Sequence, residues 1–253
     1  MNEPITSRDN PLVKQLRALA QDPLAYRKQG QVWLEGDHLC RALLARGQLP
    51  AVAVAAASAQ HLLDAWVLPP SVRRVLLADG LMAQVSGLES PAPVGFVHAL
   101  PGTPAVAPDL PSVVLDRLQD PGNVGSVLRS TAAFGFRQVV AVKGTAGLWS
   151  PKVLRAGMGA HFGLHLVEGA SVADVAALTV PVLATSSHHG DWLHRAELPW
   201  PCAWLLGHEG QGVSPALEAL AQRQVRIAQP GGEESLNVAA AAAICLHASA
   251  TAR

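Results

Sequence analysis

Short apolar runs rich in valine, leucine and alanine alternate along this chain with segments whose apolar positions fall three and four apart. The first kind of run suits a buried strand, the second one face of a helix. In the N-terminal part, Leu12, Leu16 and Leu19 recur at helical spacing after an Asn10-Pro11 start signal, which predicts a helix over 10–29. Strands are predicted at 32–35, 51–57, 74–78 and 94–100, with helices at 37–46 and from the end of the second strand to about Trp66. Further on the alternation becomes more regular. Strands are predicted at 112–117, 138–143, 163–167, 181–185, 203–206 and 224–228, and helices at 124–134, 151–157, 172–178, 214–221 and 235–250. Such βα alternation implies a mostly parallel sheet covered on both faces, an α/β fold.

Pro101, Pro104, Pro108 and Pro111 separate the two patterns. A stretch this rich in proline continues neither a helix nor a central strand and reads as a stiff linker. The expected organisation is therefore a small α/β module over 1–100, a linker over 101–111 and a second domain over 112–253.

Charge adds one local feature. Over 253 residues the 19 Lys and Arg balance the 19 Asp and Glu, which does not advertise a nucleic-acid binder. Between Asp120 and Glu168, however, there is no acidic residue, while Arg129, Arg137, Lys143, Lys152 and Arg155 fall in that stretch. It is either chance in an Ala/Gly-rich segment or a phosphate-contacting face. Cys40, Cys202 and Cys245 are far apart and odd in number, so neither a zinc site nor a disulfide framework is indicated. His188-His189 lacks partner ligands at zinc spacing, and no metal is expected. The N-terminus has no apolar signal stretch, and the longest apolar run, 238–246, is too short to span a membrane. A soluble cytoplasmic protein is expected.

Three segments carry candidate chemistry, each just after a predicted strand. They are Leu115-Asp-Arg-Leu-Gln-Asp-Pro-Gly-Asn-Val-Gly-Ser-Val-Leu-Arg129, Leu205-Leu-Gly-His-Glu-Gly-Gln-Gly212 and Ile227-Ala-Gln-Pro-Gly-Gly-Glu-Glu-Ser-Leu-Asn-Val238. Open α/β sheets bind ligands at the carboxyl ends of their strands, so three such loops suggest one composite pocket. Asn123 reads either as a helix cap or as an orienting group, and Ser235 likewise as a cap or a site residue. Glu209 is the only acid of the second loop, where Gly207, Gly210 and Gly212 would let the backbone approach a ligand. The spacing is not that of a dinucleotide fingerprint, which argues against NAD.

Together and in this order, the three segments resemble the motifs of the SpoU-type RNA 2′-O-ribose methyltransferases of the knotted SPOUT superfamily. The run Trp33-Leu-Glu-Gly-Asp-His-Leu-Cys-Arg-Ala-Leu-Leu44 also resembles the start of the small ribosomal-protein-like RNA-binding domain that precedes many of them. The resemblance implies a C-terminal trefoil knot, S-adenosylmethionine as cofactor, and a homodimer in which both subunits contribute to the cleft. It implies catalytic roles for Arg129, Asn123, Glu209, Ser235 and Asn237. Cofactor contacts would come from Gly207, Gly210, Ile227, Pro230, Ser235 and Leu236. The run Ile227-Ala-Gln-Pro230 departs from the family's commoner Ile-Pro-Met, which bears on Ala228 and Gln229.

The expected function is 2′-O-methylation of a ribose in structured RNA, with ribosomal RNA preferred over transfer RNA. Two other classes stay open. One is a non-catalytic RNA-binding assembly factor on the same scaffold, against which the presence of all five candidate residues argues. The other is a nucleotide-binding metabolic enzyme, disfavoured by the missing dinucleotide fingerprint.

Overall fold

The computed structural model describes residues 3–100, 102–232 and 235–252. By its contacts the chain forms two compact units, Met1–Gly102 with Trp149–Phe162, and Thr103–Leu148 with Gly163–Arg253.

The first unit runs through α1 (Pro11–Gln21), α2 (Ala25–Gln29), β1 (Gln31–Glu35), α3 (Asp37–Leu44), β2 (Val52–Ala56), α4 (Gln60–Asp64), β3 (Arg73–Leu77), α5 (Asp79–Val85) and β4 (Val94–Ala99). Its sheet has the order β1-β4-β2-β3, with β4 antiparallel to both neighbours and β2 parallel to β3. Both faces are buried, and the period-two rule sorts them. Trp33, Val54 and Val75 pack with Leu12, Leu16 and Leu19 of α1, whereas Val32, Leu34, Ala53 and Phe96 pack with Leu39 and Leu43 of α3. Gly95 is fixed by Trp33, because a Cβ there would collide with the indole. The single helix expected over 10–29 is two. Asp22 precedes Pro23 and is extended at ψ 117°, since the proline ring clashes with a helical residue before it. Helix α5 had no counterpart in the sequence reading.

The second unit holds β5 (Ser112–Leu115), α6 (Pro121–Ala133), β6 (Gln138–Val142), β7 (His165–Ala170), α8 (Val172–Ala176), β8 (Val182–Thr185), the two-residue β9 (Asp191–Trp192), β10 (Ala203–Leu206), α9 (Pro215–Glu218), β11 (Arg223–Arg226) and α10 (Val238–Thr251). The seventh helix in chain order, α7 (Pro151–Gly157), falls between β6 and β7 in sequence. It nevertheless belongs to the first unit, where Leu154 and Phe162 join the cluster of Leu34 and Phe96. The sheet of the second unit runs β7-β6-β5-β10-β8-β11-β9, and every pair is parallel. Its central strands β5 and β10 are buried at every residue, as a parallel sheet covered on both faces requires. Helix α10 is tied to β10 by a buried bond, from the Trp204 indole N–H to the Ser249 hydroxyl at 2.8 Å.

The proline-rich segment is not free chain. Ala107 exchanges two bonds with the Gln138 side chain (2.8 and 3.0 Å), and the Ala105 carbonyl lies 2.7 Å from His165 Nε2. Pro101 lies outside the described residues. The acid-free stretch is also divided, since Lys152 and Arg155 sit in the first unit and Arg129, Arg137 and Lys143 in the second.

Candidate active site

The carboxyl ends of β5, β10 and β11 lead into the three motif loops. In the first, the helix start differs from the expected one. Asp120, not Asn123, caps α6, accepting from the Asn123 backbone N–H at 2.7 Å, with Pro121 at the first helical position. A proline there lacks an N–H that would be orphaned anyway, and the Asp120 carboxylate reaches the third helical N–H. The Asn123 side chain is thereby left for other work. Its amide donates to Glu209 Oε1 at 3.3 Å, and its carbonyl oxygen accepts from the Asn237 amide at 3.0 Å.

Glu209 closes the first loop from the second. Its carboxylate accepts from the backbone N–H of Gln119 (3.1 Å) and Asp120 (3.1 Å) as well as from Asn123. Partial burial alone would raise its pKa. The N–H groups of Glu209 itself, Gln119 and Asp120, and the Asn123 amide, outweigh that and hold the carboxyl below the usual range.

In the third loop Asn237, not Ser235, caps α10, its oxygen accepting from Ala239 N–H (2.9 Å) and Ala240 N–H (3.3 Å). Ser235 lies two residues upstream and is exposed. Both orientations of Asn237 are thus used: oxygen to its own helix, amide to the first motif.

The glycine loop is closed on itself. A Cβ on Gly207 would collide with the backbone of Gly212 and Val213, so only glycine permits this closure at the cleft wall. The closure is a pair of bonds between His208 and Gly212 (3.0 and 2.9 Å). The His208 ring is anchored too, Nδ1 accepting from Gly210 N–H at 3.0 Å.

These loops border a cleft of about 700 Å³. Among the residues named from the sequence, Gly207, Glu209, Gly210, Ile227, Ser235, Leu236 and Asn237 line it. Asn123 stands behind it through Glu209 and Asn237. Pro230 and Arg129 do not line it; Arg129 is exposed on α6. Also in the wall are Thr185 at the end of β8, Ser186, His188 and His189 from the segment after it, and Cys245 of α10. The position of that segment after a buried strand was the available signal. Asp116 was missed as well. It is 1% exposed, accepts from Arg117 Nε at 2.9 Å and from Ser214 N–H at 2.6 Å, and so joins the first motif to the segment after the second. An acid directly after an apolar strand was its only trace in the sequence.

The cleft suits a flat, partly apolar ligand with polar substituents. Its volume falls in the range of small-molecule sites, and Leu236, a large apolar side chain 39% exposed, faces no protein core. An adenosine-bearing cofactor fits such a wall. Among the described residues, no group of three or more His, Cys, Asp or Glu side chains gathers that could hold a metal ion. No described helix is long and apolar enough to cross a membrane.

Comparison with known proteins agrees with this geometry. Residues 111–247 match the SpoU rRNA Methylase family. An uncharacterized tRNA/rRNA methyltransferase of Synechocystis is 33% identical over 96% of this chain and 92% of its own length. The 23S rRNA (guanosine(2553)-2′-O)-methyltransferase of Bacillus subtilis is 30% identical, covering 71% of this chain and 73% of that protein. The AdoMet-bound rRNA methyltransferase of Sinorhizobium meliloti superimposes with a TM-score of 0.84 at 25% identity, over 98% of this chain and 97% of that one. With three motif loops closed around one cleft and a family match across the whole second unit's core, this chain belongs to the SpoU rRNA methylase family.

Proposed function

We propose that the protein transfers a methyl group from S-adenosylmethionine to a ribose 2′-hydroxyl of ribosomal RNA. The observation that carries this reading is the hydrogen-bonded chain Glu209–Asn123–Asn237, which couples all three motif loops beside one cleft. The AdoMet-bound state of the Sinorhizobium meliloti relative and the 23S rRNA specificity in the name of the Bacillus subtilis one support it.

The loops of Gly207, Ile227 and Leu236 would hold the adenosine, and Ser235 and Asn237 would border the reacting side. The cofactor supplies an electrophilic methyl group. The chain's own task is positioning and charge. A ribose hydroxyl loses its proton reluctantly, and the Arg129 guanidinium favours the developing oxyanion while gripping a neighbouring phosphate. Glu209 and Asn123 keep the loops in register, which matters because small misplacements of reacting groups are costly.

Since Arg129 lies outside the cleft of its own chain, we infer that a second copy brings it in. Helix α10 supports a homodimer. It is apolar nearly all round, yet Ala240, Ile244 and His247 form an exposed stripe at helical spacing, with Ile244 42% exposed. A partner's equivalent face is its fitting cover. The first unit is assigned to RNA handling and the protein to the cytoplasm.

The test is methyl transfer from labelled S-adenosylmethionine to unmodified ribosomal RNA, with the site mapped by 2′-O-methyl detection. Product confined to transfer RNA would move the substrate. Tight cofactor binding with no transfer to either RNA would leave a non-catalytic RNA-binding factor instead.

A further inference from the structure

Arg117 occupies a backbone conformation that its side chain disfavours. It has φ 58°, in the left-handed region where a residue with a Cβ is held only by its surroundings. The surroundings that hold it are specific. Its N–H donates to Thr145 Oγ1 at 3.1 Å, and its carbonyl accepts from Gln119 Nε2 at 2.9 Å. The side chain folds back against the turn after β6, where a Cβ on Gly144 would come within 3.3 Å of Arg117 Cγ. Its Nε is fixed by the buried Asp116 carboxylate, and Nη1 lies 3.4 Å from Oε1 of Gln211, which lines the cleft.

Pairing with Asp116 uses one of the five N–H donors of a guanidinium. Among the described residues Nη2 donates to no protein group, and the side chain, beside Gln211 of the cleft wall, is 36% exposed. A counter-ion for Asp116 alone does not require this. What the arrangement does achieve is a fork whose aim is set beforehand, so that little rotamer freedom remains to be lost on binding. The planar fork matches a phosphate.

We propose that Arg117 is a preset phosphate-binding residue, which grips the RNA backbone at the rim of the cleft. It is distinct from Arg129, which lies on α6 beyond the motif's helix start. The inference rests on the RNA substrate proposed above.

The test uses the full-length protein, in vitro-transcribed 23S ribosomal RNA as probe, and three chains: wild type, Arg117→Lys, and the double variant Asp116→Asn with Arg117→Gly. The double variant removes the buried charge, its counter-ion and the backbone strain together, so it keeps the fold testable; its melting temperature is the control. The expected result is an unchanged affinity for S-adenosylmethionine by calorimetry. RNA affinity should fall about tenfold or more in the double variant, as for a lost hydrogen bond to a charged group. Its log–log salt slope should fall by about 0.7, one single-strand phosphate contact. The loss in turnover should appear in KM for RNA rather than in kcat. Arg117→Lys should keep the slope but lose part of the affinity, because an ammonium lacks the fork. A double variant with wild-type RNA affinity and slope reduces Arg117 to the counter-ion of Asp116 and overturns the proposal. If the wild type binds the RNA without methylating it, the proposed activity falls while the salt slope still decides Arg117. If it does not bind, both fall.

Discussion

The Asn237 amide donates to the Asn123 carbonyl oxygen at 3.0 Å, joining two motifs that stand 114 residues apart. Each asparagine has a second obligation that fixes its orientation. Asn237 gives its oxygen to the first N–H groups of α10, and Asn123 gives its amide to Glu209. Neither side chain can flip without leaving a donor facing a donor. The pair therefore acts as a keyed joint between the first and third loops.

That joint separates two variants. Asn237→Asp keeps the cap oxygen but loses the donor to Asn123, and it should melt close to wild type while losing methyl transfer. Asn237→Ala loses the cap as well, and should cost about 1 kcal/mol of stability besides. Thermal melts alongside methyl-transfer assays check this. Full activity in Asn237→Asp would show that the Asn123 bond is dispensable.

Glu209 makes the site sensitive to acid. Its folded pKa lies below the unfolded value of about 4.3, so its contribution is fully present above that value. It is lost as the pH falls through the lower folded pKa. Glu209→Gln mimics the acid form and keeps one acceptor oxygen. It should weaken cofactor binding across the whole pH range, whereas the wild type should weaken only as the pH falls through the lowered pKa of Glu209. Calorimetry from pH 3.5 to 7 makes the comparison, and coincident curves would remove Glu209 from the joint.

Arg129→Ala should lower methyl transfer by about 10²–10³, as for loss of one donor to a developing oxyanion, with cofactor affinity within a few-fold. If the residue acts across copies, mixing Arg129→Ala chains with Asn237→Asp chains should restore some activity, because one cleft of a mixed dimer is then intact. Near-normal turnover by Arg129→Ala alone would exclude the residue from the reaction.

Helix α7 predicts what truncation does. Leu154 and Phe162 are buried in the core of the first unit. A chain beginning at Thr103 should therefore expose them and aggregate or melt early. In the full chain Leu154→Ala should cost roughly 2–5 kcal/mol. A soluble truncated protein with an unchanged melting profile would contradict this packing.

The three cysteines should be inert in the native protein. Burial pushes the Cys202 thiol up to about 11, against a weaker opposing effect of its hydrogen bond with Ser249, and Cys245 up to about 12; burial also raises Cys40. At pH 8 none should react with iodoacetamide until the chain is unfolded, when all three should. Mass spectrometry counts the adducts. Rapid labelling of native Cys245 would mean that the cleft wall opens.

By itself the sequence determined most of the elements and the places where chemistry gathers, though not α5, β9 or the break between α1 and α2. The buried strands around 113–115 and 203–206 announced themselves as unbroken apolar runs, and the three loops followed from glycines, Asn and Asp placed where a strand gives way to a helix. These signals are local, because propensity, burial period and turn chemistry act within a few residues. The tertiary structure decided what depends on distant partners. Ser235 and Asn237 are both competent caps, and so are Asp120 and Asn123. Only the positions of Glu209 and Asn123 in space show which oxygen turns to the helix. The same holds for α7, whose apolar face suits either unit's core until Leu34 and Phe96 claim it. The strained Arg117 had no sequence mark at all, because its backbone angle is set by Asp116, Thr145 and Gly144 acting together, and Asp116 is in turn held by Ser214, 98 residues away.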